Sequence, residues 1–435
     1  MKNRKRQLAV LLSIFCLCIV FTSCHSRGSD VPSGSSAADG LPPQASPLLS
    51  CDIGGPGSDS PYGNSYQSGI DDAYMIHGYL SHIDLAESDT GFYFTATNST
   101  GKYLYYMPKN TMQAQPLCNK PNCMHEERQD DPRQDMQEIN AARMQCNAYV
   151  NDVNHIFFYD GSLYLVGNLD ALTQDLALYR ISPDGSQKDK LYSFRLKEND
   201  DENGNPVAST PVAYILGSVT AHRGYLYYVV QSPEKTALYR LPFQDGEKQP
   251  ELLYVYQSQE GVATRLFYGK YLYAADIDGQ GEVFYNRIDL ETGQNTGRMG
   301  SVGPTYEIQS FYEGRLLLCS GLNRDGLYLA DLDGSNLYKL PEPCKNPIGT
   351  AAGPYIIGYD NSQEEQERQQ FTLTLYNGKG EKQGDIQVAS EKVPRIDGAS
   401  KDKLFLSLVT GGKRGYYCFD FCTKELSLYF SPKED

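Results

Sequence analysis

The sequence contains no tryptophan in 435 residues, which excludes any motif built on an indole. Basic residues are in the minority, with 39 Lys and Arg against 54 Asp and Glu, for a formal charge of −15. Nucleic-acid binding needs a basic stripe to engage phosphates, so this balance argues against it. Long apolar runs are scarce. The strongest, Leu8 to Phe21, is broken only by Ser13, and it falls short of the roughly 20 residues that span a bilayer. Amphipathic helical periodicity of any length is also missing. The chain that remains is 40% hydrophobic and 21% charged, a globular composition that excludes wholesale disorder. Its 34 tyrosines favour strands, because aromatic rings suit a half-buried pleated surface. The length fits two or three domains or one repeat array.

The N-terminus reads as an export signal. Lys2, Arg4, Lys5 and Arg6 precede the apolar run, which ends in Phe21-Thr22-Ser23-Cys24. A positive n-region followed by a short apolar h-region is the pattern of a cleaved leader, expected here over residues 1–23. The last four residues resemble the bacterial lipobox, which implies that Cys24 is lipidated and becomes the new N-terminus. An ordinary secretory signal with Cys24 incidental is the alternative. A tether is expected over residues 24–66. Within 25–60 it holds 9 Ser, 6 Gly and 5 Pro, and a coil of that length reaches about 35 Å. Loss of the leader removes four positive charges, so the mature chain carries −15 − 4 = −19. Such a chain is poorly suited to an anionic lipid surface, so the expected membrane partner is met through the N-terminal lipid alone, on the extracytoplasmic face.

The body, residues 67–435, is repetitive. A turn residue is followed by a short aromatic-aliphatic strand, then a strand centred on Leu-Tyr, often an Asp-Gly turn, and a further strand. The clearest copy runs from Gly161 through Leu178-Tyr179-Arg180-Ile181, Asp184-Gly185 and Leu191 to Phe194. Seven copies start near residues 91, 161, 224, 269, 314, 353 and 402. The later spacings match the roughly 40–50 residues of a four-stranded propeller blade. Period-two alternation and dense turn signals make the body all-β, and a seven-bladed β-propeller is expected, since radial closure protects sheet edges. Two tandem β-sandwiches are the alternative.

Leu327-Tyr-Leu-Ala-Asp-Leu-Asp-Gly-Ser-Asn-Leu337 resembles the strand-turn of propellers of the low-density-lipoprotein-receptor type, and the body resembles TolB-like propeller domains. Leu117-Cys-Asn-Lys-Pro-Asn-Cys-Met-His125, followed by Cys146-Asn147-Ala148, resembles a signature of uncharacterised propeller lipoproteins from Gram-positive anaerobes. The resemblance implies a seven-bladed fold and surface display, and it assigns no catalytic residue.

Of 11 cysteines, Cys16, Cys18 and Cys24 belong to the leader and lipid site. Cys118, Cys123, His125 and Cys146, in a loop insertion at about 116–148, have the donor types of a closed tetrahedral zinc site. A disulfide within the loop is the alternative. Cys418 and Cys422 are too far apart on one strand to bridge, so either could pair with Cys51 if N-terminal chain closes the last blade. Cys319 could pair with Cys344. Asp276-Ile-Asp278-Gly-Gln-Gly-Glu282 and Asp331-Leu-Asp333-Gly look like calcium loops but complete no full ligand pattern; Asp-Gly is also a hairpin turn. His77, His82, His155 and His222 are single strand or loop residues, and Glu364 to Glu367 is a solvated loop tip.

Three functions fit. The first is a non-catalytic binding or scaffold lipoprotein whose loops hold a protein, peptide or glycan. The second is a glycan-active hydrolase or lyase, which fold alone does not exclude. The third is a metal- or redox-responsive sensor built on the Cys/His loop.

Overall fold

The computed structural model describes residues 85–98, 101–125, 133–169, 176–194, 214–242, 249–257, 265–277, 283–299, 306–312, 315–320, 326–331, 334–341, 347–360, 369–400 and 402–432. The leader, the tether, Cys24, Cys51, His77, His82, Cys344 and Glu364 to Glu367 lie outside them.

The described chain is a seven-bladed β-propeller. Blade one is β1 (Leu85–Glu87), β2 (Gly91–Asn98), β3 (Gly101–Pro108) and β4 (Gln115–Pro116), with β5 (Tyr149–Val150) also paired to β3. Blade two is β6 (Asp152–Tyr159), β7 (Ser162–Asn168), β8 (Ala177–Ile181) and β9 (Lys188–Ser193). Blade three is β10 (Tyr214–His222), β11 (Tyr225–Gln231), β12 (Thr236–Pro242) and β13 (Glu251–Val255). Blade four is β14 (Arg265–Tyr268), β15 (Tyr271–Ile277), β16 (Val283–Asp289) and β17 (Asn295–Met299). Blade five is β18 (Tyr306–Tyr312), β19 (Arg315–Ser320), β20 (Leu327–Asp331) and β21 (Tyr338–Lys339). Blade six is β22 (Pro347–Ala352), β23 (Tyr355–Asp360), β24 (Gln370–Tyr376) and β25 (Lys382–Ala389), and blade seven is β26 (Arg395–Ala399), β27 (Lys403–Thr410), β28 (Lys413–Asp420) and β29 (Leu426–Phe430). Every blade is an antiparallel meander contiguous in sequence.

The first strands form the inner ring: β1 touches β6 and β26, β6 touches β10, and β18 touches β22. The repeat read from sequence is therefore out of phase by one strand. Gly161, Gly224, Gly269 and Gly353 occupy the turn between the first and second strands, so each sequence copy began at the second. Inner strands lack the Leu-Tyr signature: β6, β14 and β18 end in Phe-Tyr. Pro347-Ile-Gly-Thr-Ala-Ala352 of β22 is built of smaller residues, and a Cβ on Gly349 would lie 2.9 Å from the Leu327 side chain of blade five.

The core sits between blades. Seven clusters of buried side chains each join two neighbouring blades, and seven seams for seven blades make a closed ring, where six would leave it open. The closing seam is aromatic. Phe92 meets Phe405 at 4.7 Å, Phe94 meets Tyr429 edge-on at 5.4 Å, and Tyr105 meets Phe430 at 4.4 Å. Blade seven takes all four strands from residues 395–430, so among the described residues no N-terminal strand completes it, contrary to the closure on which a Cys51 bridge depended.

Tyrosine serves these seams because its ring fills the core while its hydroxyl reaches a polar partner. Tyr93 donates to the Pro183 carbonyl of blade two (3.2 Å), and Tyr312 to the Pro354 carbonyl between blades five and six (2.6 Å). Tyr376 donates back to the Pro341 carbonyl (2.9 Å). The tyrosine excess is thus largely blade-to-blade adhesion.

Candidate metal centre

Blade one differs from the others at its outer edge. Its fourth-strand position is divided between β4, opposite Tyr105 and Tyr106, and β5, opposite Lys102 and Tyr103. The two stumps meet at Leu104. Its carbonyl accepts from Leu117 N (2.8 Å), and its N–H donates to the Ala148 carbonyl (2.7 Å). The Cys/His insertion leaves and returns at this break.

Cys118 follows Leu117, and Cys146 stands two residues before Ala148. Asn122 and His125, with φ of 59° and 48°, bend the chain between them. A helix, α1 (Met136–Arg143), brings the chain back to Cys146. It lies inside the insertion at about 116–148 that reads as a loop in the sequence. Asp135 caps it, accepting from Glu138 N at 2.9 Å, and Asp-x-x-Glu is a start signal that could have revealed it. Its single buried residue is Ile139.

The result is one compact cluster. The donor atoms of Cys118, Cys123, His125 and Cys146 all lie within 4.8 Å of one another, and His125 Nδ1 is 3.5 Å from Cys146 Sγ. Zinc–sulfur bonds of about 2.3 Å place tetrahedral sulfurs roughly 3.8 Å apart, so these donors need to close by about 1 Å. The three thiols carry no disulfide, and Cys146 is buried while Cys118 and Cys123 are half-buried. The donor set fits zinc: soft thiolates with one imidazole, four protein ligands and no vacant position.

The stumps are also tied around the cluster. Lys120 Nζ donates to the Gln145 carbonyl, and Asn147 Nδ2 donates to Asn119 Oδ1 at 3.2 Å. Leu117 packs into the seam between blades one and two. Gly185 in blade two has φ 70°, and a Cβ there would lie 2.4 Å from the Leu117 carbonyl. Only glycine allows that approach.

Electrostatics favour sharing of charge. Burial raises the Cys118 thiol, but the backbone N–H groups of Lys120 and Asn147 and the neighbouring thiols outweigh it and bring it below its ordinary value. Burial first, with Cys123 and Cys118 adding, pushes Cys146 up to about 12. A divalent cation held there would reverse this and keep all three deprotonated. Three thiolates and one zinc would leave the cluster with one net negative charge. Lys188 of β9 stands beside it, donating from Nζ to the Tyr149 carbonyl at 3.2 Å. Burial brings its ammonium down to about 8, and the charge of Cys146 and Cys118 pulls it back up. Nothing in the sequence singles out Lys188, which lies some forty residues from Cys146.

Other candidates serve the blades. Asp276 Oδ2 accepts from the Tyr254 hydroxyl (2.7 Å) and Gln257 N (2.9 Å), while Oδ1 accepts from Ile277 N (2.8 Å). Asp331 faces Arg315 at 4.0 Å and accepts from Ser335 and Asn336. Asp276 is thus used in joining blade four to blade three, and Asp331 in bonding the turn after its own strand; Asp278, Glu282 and Asp333 lie outside the described residues. His155 is buried in β6, and His222 Nε2 meets the Gly269 carbonyl at 2.7 Å, joining blades three and four. Cys418 is buried in the closing seam, Cys422 is exposed, and neither is bridged. Cys319 is buried in β19, and its candidate partner Cys344 lies outside the described residues.

A pocket between blades three and four is lined by Arg223, Tyr225, Tyr227, Arg240, Lys270 and Glu291. Arg240 grips Glu251 with two bonds, and Lys270 holds Asp289 at 3.0 Å. Each ion pair lies within its own blade, and Arg240 also donates across the seam to the Leu290 carbonyl.

The chain is a seven-bladed β-propeller with a four-donor Cys/His cluster on its first blade. No protein-family model and no curated protein matches it. Solved structures of similar fold include the uncharacterized protein lmo1340 from Listeria monocytogenes EGD-e, at 11% identity and TM-score 0.45, covering 66% of this chain and 84% of that one. TolB from Acinetobacter baumannii is similar at 13% identity and TM-score 0.38, covering 79% and 78%. A puromycin hydrolase is similar at 12% identity and TM-score 0.49, covering 85% of this chain and 56% of that one; the chain therefore spans little more than half the length of that hydrolase. These likenesses concern the fold alone.

Proposed function

We propose that the chain is an extracytoplasmic binding or scaffold module, held to the membrane by lipid on Cys24, with its first blade locked by a structural zinc ion on Cys118, Cys123, His125 and Cys146. One observation carries the metal reading: four donors of zinc type converge within 4.8 Å where an outer strand is broken. Four protein ligands complete a tetrahedron, so the metal contributes folding energy and leaves no position for a substrate. Its role is to hold the two stumps together.

The binding role is supported by the closed ring, which holds its connecting loops on a rigid frame. The ligand class that suits such loops is a protein, peptide or glycan. Lipid anchoring is supported by the leader pattern and the Ser/Gly/Pro-rich segment after Cys24. Cys24→Ala is expected to move the protein from the membrane fraction to the soluble fraction. Unchanged fractionation refutes the anchor and leaves the metal reading intact.

A further inference from the structure

We propose that Cys118 and Cys123 form a peroxide-sensitive pair whose oxidation to a disulfide expels the metal and opens the outer edge of blade one. The inference rests on the zinc reading above and adds its regulation.

Access selects the pair. Cys118 and Cys123 are half-buried, while Cys146 is buried, so a small hydroperoxide meets the first two. Both belong to one short turn, closed by Cys123 N donating to the Lys120 carbonyl at 3.4 Å. A bridge between them needs only that turn to tighten. Cys146 stands on the other side of the broken strand, 146 − 123 = 23 residues further along the chain.

The chemistry balances. The Cys118 sulfur attacks a peroxide oxygen, the S–O bond forms, the O–O bond breaks, and hydroxide leaves. The Cys123 sulfur then attacks the Cys118 sulfur, the S–S bond forms, the S–O bond breaks, and a second hydroxide leaves. Two electrons pass from the two thiolates to hydrogen peroxide, and two solvent protons complete two waters. His125 and Cys146 remain as two donors, too few for a structural zinc site.

Location gives the step its consequence. Cys118 and Cys146 stand on opposite sides of the broken strand, and the metal joins them. A Cys118–Cys123 bridge lies wholly on one stump and joins nothing. The bonds that meet at Leu104 then keep only the Lys120–Gln145 and Asn119–Asn147 contacts as tether, and Arg143, inside the insertion, becomes open to protease.

The test uses purified protein from residue 25 onward, with zinc measured before and after titration with hydrogen peroxide. The expected result is one zinc per chain beforehand, release in step with one Cys118–Cys123 disulfide by peptide mass mapping, and at least tenfold faster tryptic cleavage after Arg143. Reductant with added zinc restores the starting state. Zinc retained under peroxide, or released with a disulfide that includes Cys146, overturns this inference and leaves the zinc reading standing. No zinc before oxidation overturns both.

Discussion

Removing the metal should loosen one edge of one blade, and the size of the effect can be worked out. Cys118 and Cys146 are 146 − 118 = 28 residues apart. A cross-link closing a loop of that length constrains the open chain by about 3.6 kcal/mol on the loop-entropy relation. At room temperature that is a factor of about 400 in a local opening equilibrium. Part of it survives without metal, because Lys120 still reaches Gln145, Asn147 still reaches Asn119, and Leu117 is still buried. The expected acceleration of amide exchange at Leu104 and Leu117 on chelation is therefore between tenfold and about 400-fold. Their partners are the Ala148 and Leu104 carbonyls at the break. Leu404 and Phe419, paired within blade seven, supply the internal reference and should not change. Exchange of Leu104 and Leu117 that stays within twofold on chelation refutes the idea that the metal splices the strand.

Further outcomes follow from other contacts. Gly185→Ala places a methyl against the Leu117 carbonyl at a left-handed position; it should weaken zinc affinity by about tenfold in a competitive chelator titration, from roughly 1–2 kcal/mol of strain. Phe405→Ala empties the centre of the closing seam, where Phe405 is fully buried against Phe92 and Tyr429; a loss of about 3–5 kcal/mol is expected in denaturant unfolding. Burial holds His155 near 3, and burial aided by Arg223, against the Gly269 carbonyl, holds His222 near 3. The unfolded chain binds those protons from about pH 6.5, so stability should fall as pH drops from about 6.5 towards 3, by up to about 1.4 kcal/mol per unit for each histidine. His155→Phe should flatten the fall of Tm with pH, and an unchanged slope would count against its burial as a neutral ring.

Much of the fold was legible. The Leu-Tyr strands and Gly turns exposed seven units because the second and third strands of each blade are buried nearly throughout and carry the repeat. The phase was not legible, because the inner strands share no single pattern: β6, β14 and β18 end in Phe-Tyr, whereas β22 ends in Thr-Ala-Ala and β26 in Asp-Gly-Ala. At the site, the four donors were readable as residue types, and the motif residues around them prove to have work of their own: Asn119 bonds Asn147, Lys120 bonds Gln145, and Ala148 receives Leu104. The division of the outer strand was hidden, since β4 and β5 are two residues each and pair only through the register of β3. Lys188 was hidden for a related reason: a neighbour supplied by the next blade has no fixed offset in sequence.

The central claim is that Cys118, Cys123, His125 and Cys146 hold zinc. Zinc-edge X-ray absorption on protein purified without added chelator tests it most directly. The predicted result is one zinc per chain in a shell of three sulfurs at about 2.3 Å and one nitrogen at about 2.0 Å. Metal-free protein with a Cys–Cys bond inside the loop, or a shell dominated by oxygen, contradicts it.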